Sequence, residues 1–186
     1  MEFSEKGEPS MLYLIKEKIK KTSTFKKYLF IRGVGTSLYL VNWLYQNILR
    51  IDPSSFNKCF TSRFMASDKI IIQNNCVEVR KSMAVSGGCY FQATHGIEIG
   101  QDTIWSFNVT MVTSDHDLND LKLENPERSG PIKIGESCWI GSGVVILPNI
   151  ILGNRTTVGA NSVVTKSFPQ GNVVIAGCPA KIIRKL

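Results

Sequence analysis

His95 and His116 are the two residues of this chain best suited to move a proton near neutral pH. His116 stands in the run TSDHD, between Asp115 and Asp117. An imidazole placed there can accept the proton of an attacking hydroxyl and pass it to a departing group. The two aspartates could orient the imidazole and raise its basicity, or they could form a turn. His95, in ATHGIEIG, precedes a corner of the repeat described next. Cys59, Cys76, Cys89, Cys138 and Cys178 show no CxxC spacing, and an odd number argues against a complete disulfide framework. They read as small core hydrophobes of a reducing compartment. Catalytic zinc usually takes three protein ligands, so two histidines and these cysteines imply no metal.

A repeat must position these residues. From Ile134, every sixth residue is aliphatic: Ile140, Ile146, Leu152, Val158 and Val164. Glycine follows at Gly135, Gly141, Gly153 and Gly159, and a small or aliphatic residue stands four after each of the first five stops, at Cys138, Val144, Ile150, Thr156 and Ser162. A short fixed period is the signature of a solenoid. Three flat sides of six residues make one triangular coil of about eighteen, with parallel strands pairing from coil to coil. Glycine and asparagine are expected at the corners because they tolerate turn conformations. The period is also legible at Ile99, Trp105 and Met111, then breaks before Ile134. Residues 117–131, DLNDLKLENPERSGP, are polar and must loop out.

The first third differs. Residues 1–50 hold nine Lys or Arg against four Glu, so they carry +5 of the chain's net +7. That asymmetry fits an anionic partner such as a membrane surface, a polyanion or a phosphate-bearing ligand, or else a solvated helix face. Residues 1–10 are polar, and residues 11–30 mix lysine with apolar residues at helical spacing. A second helix is expected from about Ser37 to Arg50, with Val41, Leu44, Tyr45, Ile48 and Leu49 on one face. The longest uncharged run, residues 33–49, is short for a membrane span and carries Asn42, Gln46 and Asn47. No signal peptide is visible, since Glu2, Glu5 and Glu8 crowd the start. The DPSS turn at 52–55 separates a basic amphipathic segment, 1–55, from a repeat domain, 56–186. The segment lies on a membrane interface or packs against the body or a second subunit; both readings stay open. From residue 70 onward the pieces KIIIQNN, VEVRKS, MAVSGG and CYFQAT read as short strands, with no further helix.

The repeat resembles the hexapeptide-repeat acyltransferases, in particular the galactoside, maltose and surface-polysaccharide O-acetyltransferases. The resemblance runs over roughly residues 70–186, through TSDHD, PIKIGESCWIGSGVVILPNIILG, VGANSVVTKSFP and VVIAGCPAKIIR. It implies a mainly β chain wound as a left-handed parallel β-helix, an exception to the usual crossover hand. It further implies acetyl-CoA as co-substrate, direct transfer to a carbohydrate hydroxyl without an acyl-enzyme, and a homotrimer with sites at subunit boundaries. On that resemblance His116 matches the catalytic base, and the extruded loop covers the site. Trp139 matches a residue beside pantetheine. Ser142 and Ala160 match positions whose backbone contacts it, and Pro179 one against adenine. Lys166, Lys181 and Arg184 are cations where the phosphates would lie. The acceptor side departs from the pattern, for the galactoside and maltose enzymes' sugar-binding Asn and acidic residue have no clean counterpart in SGGCYFQATHGIEIG. Gln92, Thr94 and His95 are the acceptor candidates, and Asn108 reads as a corner residue. A carbonic-anhydrase-like β-helix would need three histidines for its metal. N-acetylation of an amino sugar nucleotide and a non-catalytic scaffold are the alternatives. The expected location is the cytoplasm, with peripheral contact at the inner face of the membrane and no nucleic-acid partner.

Overall fold

In the computed structural model, which describes residues 22–186, the period of six winds a three-sided parallel β-helix. Residues 1–21, which hold the polar start and the first half of the expected 11–30 helix, lie outside the described residues. In chain order the strands are β1 (Arg63–Met65), β2 (Ile70–Ile72), β3 (Tyr90–Gln92), β4 (Ile97–Ile99), β5 (Ile104–Trp105), β6 (Thr110–Val112), β7 (Ile132–Ile134), β8 (Trp139–Ile140), β9 (Val145–Ile146), β10 (Ile151–Leu152), β11 (Thr156–Val158), β12 (Val163–Val164), β13 (Val173–Gly177) and β14 (Ala180–Lys185). The first side stacks β1-β3-β6-β9-β12, the second β2-β4-β7-β10, and the third β5-β8-β11-β13-β14. Neighbours are parallel except β13 and β14, a closing antiparallel hairpin.

The register is the sequence period made solid. Leu152 stands on Ile134, Val158 on Ile140 and Val164 on Ile146, each pair eighteen residues apart. All six point inward and are buried, with Cys138, Val144, Ile150, Thr156 and Ser162 between them. Gly88, Gly96, Gly143 and Gly171 take left-handed turn conformations as expected, but the glycines that follow the inward stops have a different reason. Gly100, Gly135, Gly141, Gly153 and Gly159 are absent from the positive-φ positions; Asp102, Asn108, Asn149 and Asn161 occupy that region instead. A Cβ on Gly135 would lie 2.6 Å from the Asn154 nitrogen and 2.8 Å from the Gly153 carbonyl carbon, in the next coil. One on Gly153 would lie 2.3 Å from the Pro169 oxygen. Glycine is there because successive backbones come too close for a side chain.

The first coil corrects the strand reading of residues 77–85. The sequence VEVRKSMAV is a helix, not strands. Its buried residues Val79, Ser82 and Met83 follow helical, not alternating, spacing. The helix takes the place of a third-side strand in that coil and covers the β5 end of the third sheet, where the Ser86 hydroxyl donates to the Trp105 carbonyl.

Two helices precede it: α1 (Ser23–Val34) and α2 (Thr36–Trp43), broken at Gly35 (φ 89°), with α2 running into a π-helical turn over Leu44–Ile48. Residues 77–85 are then α3. Phe30, Val34 and Ala84 form a small second core joining α1 to α3. The α2 stretch is inside out: its buried residues are polar. The Asn42 amide donates to Asn57 Oδ1 and the Ala84 carbonyl, and accepts from the Phe60 N–H. The Gln46 amide donates to the Ser54 hydroxyl and the Phe56 carbonyl, and accepts from the Lys58 N–H. Buried Lys58 pairs with Asp52 at 2.6 Å. Burial pulls its ammonium pKa down against the opposing pull of Asp52. Leu40, Val41, Leu44, Ile48 and Leu49 are all exposed, Ile48 at 59%.

Ile140→Ala should cost about 2–5 kcal/mol through a cavity, and Gly135→Ala about 1–3 kcal/mol through coil separation. Urea denaturation followed by circular dichroism measures both. An unchanged midpoint for Gly135→Ala would show that the coils part easily.

Candidate functional site

His116 leaves the first sheet just after β6, where the coil is interrupted. Met111 stands on Ile146, thirty-five residues away where an uninterrupted coil gives eighteen. The surplus leaves at this corner as a hairpin: the Asp117 N–H donates to the Leu123 carbonyl and the Asn125 N–H to the Asp115 carbonyl. That pairing sets His116 directly opposite Glu124. The loop over 117–131 is therefore extruded as expected, and Leu118, Leu121 and Leu123 at its tip are exposed.

Glu124 is the residue that sequence reasoning missed. Its carboxylate touches the His95 Nε2. The Ser129 hydroxyl holds its pKa below the usual carboxylate range, with His95 and His116 adding to the effect. Nothing local marks Glu124 in the sequence; only the register of the hairpin brings it between the two histidines.

Asp115 and Asp117 take the turn-forming role. Asp117 Oδ1 accepts the N–H groups of Asn119 and Asp120, which lowers its pKa. Asp115 accepts the His116 backbone N–H and pairs with Arg128 at 2.8 Å. Among the described residues no hydrogen bond joins either carboxylate to the His116 ring.

The three acceptor candidates gather beside the same corner. Buried Thr113 is the hub: its hydroxyl donates to the Gln92 carbonyl, contacts the Thr94 hydroxyl at 3.2 Å and accepts the His95 N–H at 3.0 Å. The Gln92 amide contacts Ser114 from both ends. Gln92, Thr94, His95, Glu124 and His116 thus form one polar patch around Thr113 and Ser114.

The donor-side candidates lie elsewhere. On the third side, Ile104 pairs with Trp139, Trp139 with Thr157, Thr157 with Val174 and Val174 with Arg184. This is one lateral row. At about 4.8 Å per strand, Trp139 and Arg184 are roughly 14 Å apart along it. Trp139 is 57% exposed, a large aromatic left facing outward. Ser142 and Ala160 occupy the next corner, where the Ser142 hydroxyl meets Ser106 at 2.6 Å and a Cβ on Gly141 would meet the Ala160 nitrogen. Lys181 and exposed Pro179 belong to the β13–β14 hairpin. Lys166 is set apart: it follows β12 at the end of the first side, with its ammonium 5.8 Å from the Phe168 ring. Within one chain, His116 and the Trp139–Arg184 row face different sides of the prism. All five cysteines are free thiols, and burial pushes the pKa of Cys89 and Cys138 up, which suits inert core residues. Among the described residues no group of three His, Cys, Asp or Glu could hold a metal.

Glu124 has a depressed folded-state pKa, so its contribution is present above the unfolded value and is lost as pH falls through the folded one. Hydrogen exchange at Asp117 and Asn125, taken relative to its intrinsic rate at each pH, should therefore quicken as pH falls through the acid range in which Glu124 takes up its proton. Glu124→Gln should quicken it at pH 7 and flatten that pH dependence. Equal protection in the two proteins would detach the loop from this carboxylate.

Residues 131–166 match the bacterial transferase hexapeptide family, described as six repeats. The chain is 41% identical over 91 residues to the galactoside O-acetyltransferase of Escherichia coli K12, covering 48% of this chain and 44% of the relative. A second protein of that strain, WbbJ, provisionally named as a lipopolysaccharide biosynthesis O-acetyl transferase, is 35% identical over 116 residues, covering 56% of this chain and 58% of its own. The chain thus spans about half the length of the curated relatives it matches. The crystal structure of a maltose O-acetyltransferase from Clostridium difficile 630 superimposes with a TM-score of 0.51 and 28% identity, covering 91% of this chain and 89% of that one. The coiled part of this chain is therefore a left-handed parallel β-helix, and its residues 131–166 carry the match to the bacterial transferase hexapeptide repeat.

Proposed function

We propose that this protein transfers an acetyl group from acetyl-CoA to a hydroxyl of a carbohydrate, with His116 as general base. The observation that carries the reading is the polar patch at the coil interruption: His116, Glu124, His95, Gln92 and Thr94 gathered on Thr113 and Ser114. The names of the similar proteins, galactoside and maltose O-acetyltransferases, support the reaction class.

The chemistry asks little of the protein. The acceptor hydroxyl loses its proton to the His116 imidazole as its oxygen attacks the thioester carbonyl. The tetrahedral intermediate then collapses, the carbon–sulfur bond breaks and the imidazolium returns the proton to the thiolate. A backbone N–H suffices for the oxyanion, and holding both substrates supplies much of the rate. Glu124 and His95 lie where a sugar presented to His116 would meet hydrogen-bonding groups. Trp139 and Arg184 offer an apolar face and a cation along one row for the extended coenzyme. Because that row and His116 face different sides of the chain, the reading calls for a second copy to bring them together. A homotrimer does so, and the exposed leucines of the 117–131 loop give it an apolar contact.

The reading extends to a membrane-proximal glycan acceptor on the cytoplasmic side. Residues 22–51 contain Lys26, Lys27, Arg32 and Arg50 and no Asp or Glu, while Leu40, Leu44, Ile48 and Leu49 are turned outward. An anionic lipid surface complements both features. No described helix is long and apolar enough to cross a membrane.

With labelled acetyl-CoA and a panel of mono- and oligosaccharides, His116→Ala should lower the transfer rate about 10²–10⁴-fold with folding unchanged. Acetylation that survives the substitution would remove His116 from the base role. The paired change Leu44→Glu with Ile48→Glu should abolish sedimentation with phosphatidylglycerol vesicles while leaving the melting temperature in place. Undiminished sedimentation would leave that face to a protein contact.

A further inference from the structure

A cleft of about 700 Å³ lies between the N-terminal helices and the first coil, and a recess of about 230 Å³ adjoins it. None of the residues around His116 lines either space. Arg80, from α3, lines both. Its Nε is buried and makes no hydrogen bond, while its guanidinium carbon lies 5.0 Å from the Phe30 ring centroid. Among the described residues neither Arg80 nor Lys27, the second cation of the cleft, has an ion-pair partner. The described lining has no carboxylate; its other polar groups are neutral amides and hydroxyls, those of Asn57, Asn74, Asn75 and Ser55 among them. The start of α3 faces the same space: Cys76 and Val77 line it, and no side chain caps that helix.

A guanidinium N–H withdrawn from water and left without an acceptor is a standing cost in a folded protein. Nε itself is covered, but Arg80 lines the cleft, so the other N–H groups of its fork are the ones an oxyanion there would meet. The flat fork of arginine, the point charge of lysine and the open N–H groups of a helix start suit phosphate oxygens. Trp43 and Tyr39 line the same cleft and offer ring surfaces for whatever the phosphate is attached to. We propose that this cleft binds a phosphate-bearing ligand, with the oxyanion held by Arg80 and Lys27 and the remainder lying against Trp43 and Tyr39. The site is separate from the acyl-transfer site and does not depend on that activity. The phosphate could be carried by a lipid headgroup or by a soluble sugar phosphate, and the chemistry is the same for both.

The full chain is titrated, without any acetyl donor, with inorganic phosphate, with glucose 1-phosphate and with phosphatidylglycerol vesicles against phosphatidylcholine vesicles. Saturable binding is expected for at least one phosphate probe, weakened about tenfold or more by Arg80→Gln and about threefold by Lys27→Gln. Lys27 is exposed, so its variant keeps the test readable if Arg80→Gln lowers the melting temperature. Tighter binding to the anionic vesicles than to glucose 1-phosphate assigns the headgroup source; the reverse assigns the soluble one. Two results overturn the proposal: no saturable binding of any probe, or binding unaltered in both variants. Acetyl transfer, measured separately, can fail or succeed without touching this result.

Discussion

Backbones one strand spacing apart leave no room for a Cβ at the corner formed by Gly100, Gly135 and Gly153, and the rest of the molecule is arranged around that closeness. Parallel strands of two or three residues have too few hydrogen bonds to hold a coil alone. They are held because successive coils hydrogen-bond to one another and because the aliphatic stops are buried together in the prism. The turn conformations fall largely to Asn and Asp and to glycines such as Gly88, Gly96, Gly143 and Gly171, while the glycines that follow the inward stops serve the close approach.

The regular stack is interrupted where the polar patch lies. The chain leaves the prism at the corner after β6, and the hairpin that forms there brings a loop carboxylate against residues of the preceding coil. Thr113 remains in the coil and gives the patch a rigid base, since its hydroxyl joins both coils. The donor-side row is equally fixed, because its members are register partners in one sheet. Rigid sheets hold the two groups on separate sides of the chain.

The N-terminal helices obey another balance. Two buried amides, Asn42 in α2 and Gln46 in the π-helical turn that continues it, make five hydrogen bonds to the segment that leads into the first coil and one to Ala84 of α3. A fully satisfied polar contact of this kind specifies one orientation of the helix. That orientation sends the aliphatic residues outward, the reverse of what a helix covering a core would do.

The six-residue period by itself determined the solenoid, the inward residues and the extruded loop, because each inward position repeats the same steric demand in every coil. Asn108 as a corner residue and His116 at the interruption were legible for the same reason. Other features depend on contacts between residues far apart in the chain, and no local pattern encodes them. VEVRKSMAV alternates like a strand yet is a helix, since what it meets is the open end of a sheet. The direction of the α2 apolar face was undecided until Asn42 and Gln46 found their partners. Glu124 joined the histidines only through the pairing of the loop with itself. The amides, the hairpin register and the cleft around Arg80 were decided by tertiary structure, because a hydrogen bond or a cavity exists only where two distant segments have already been brought together.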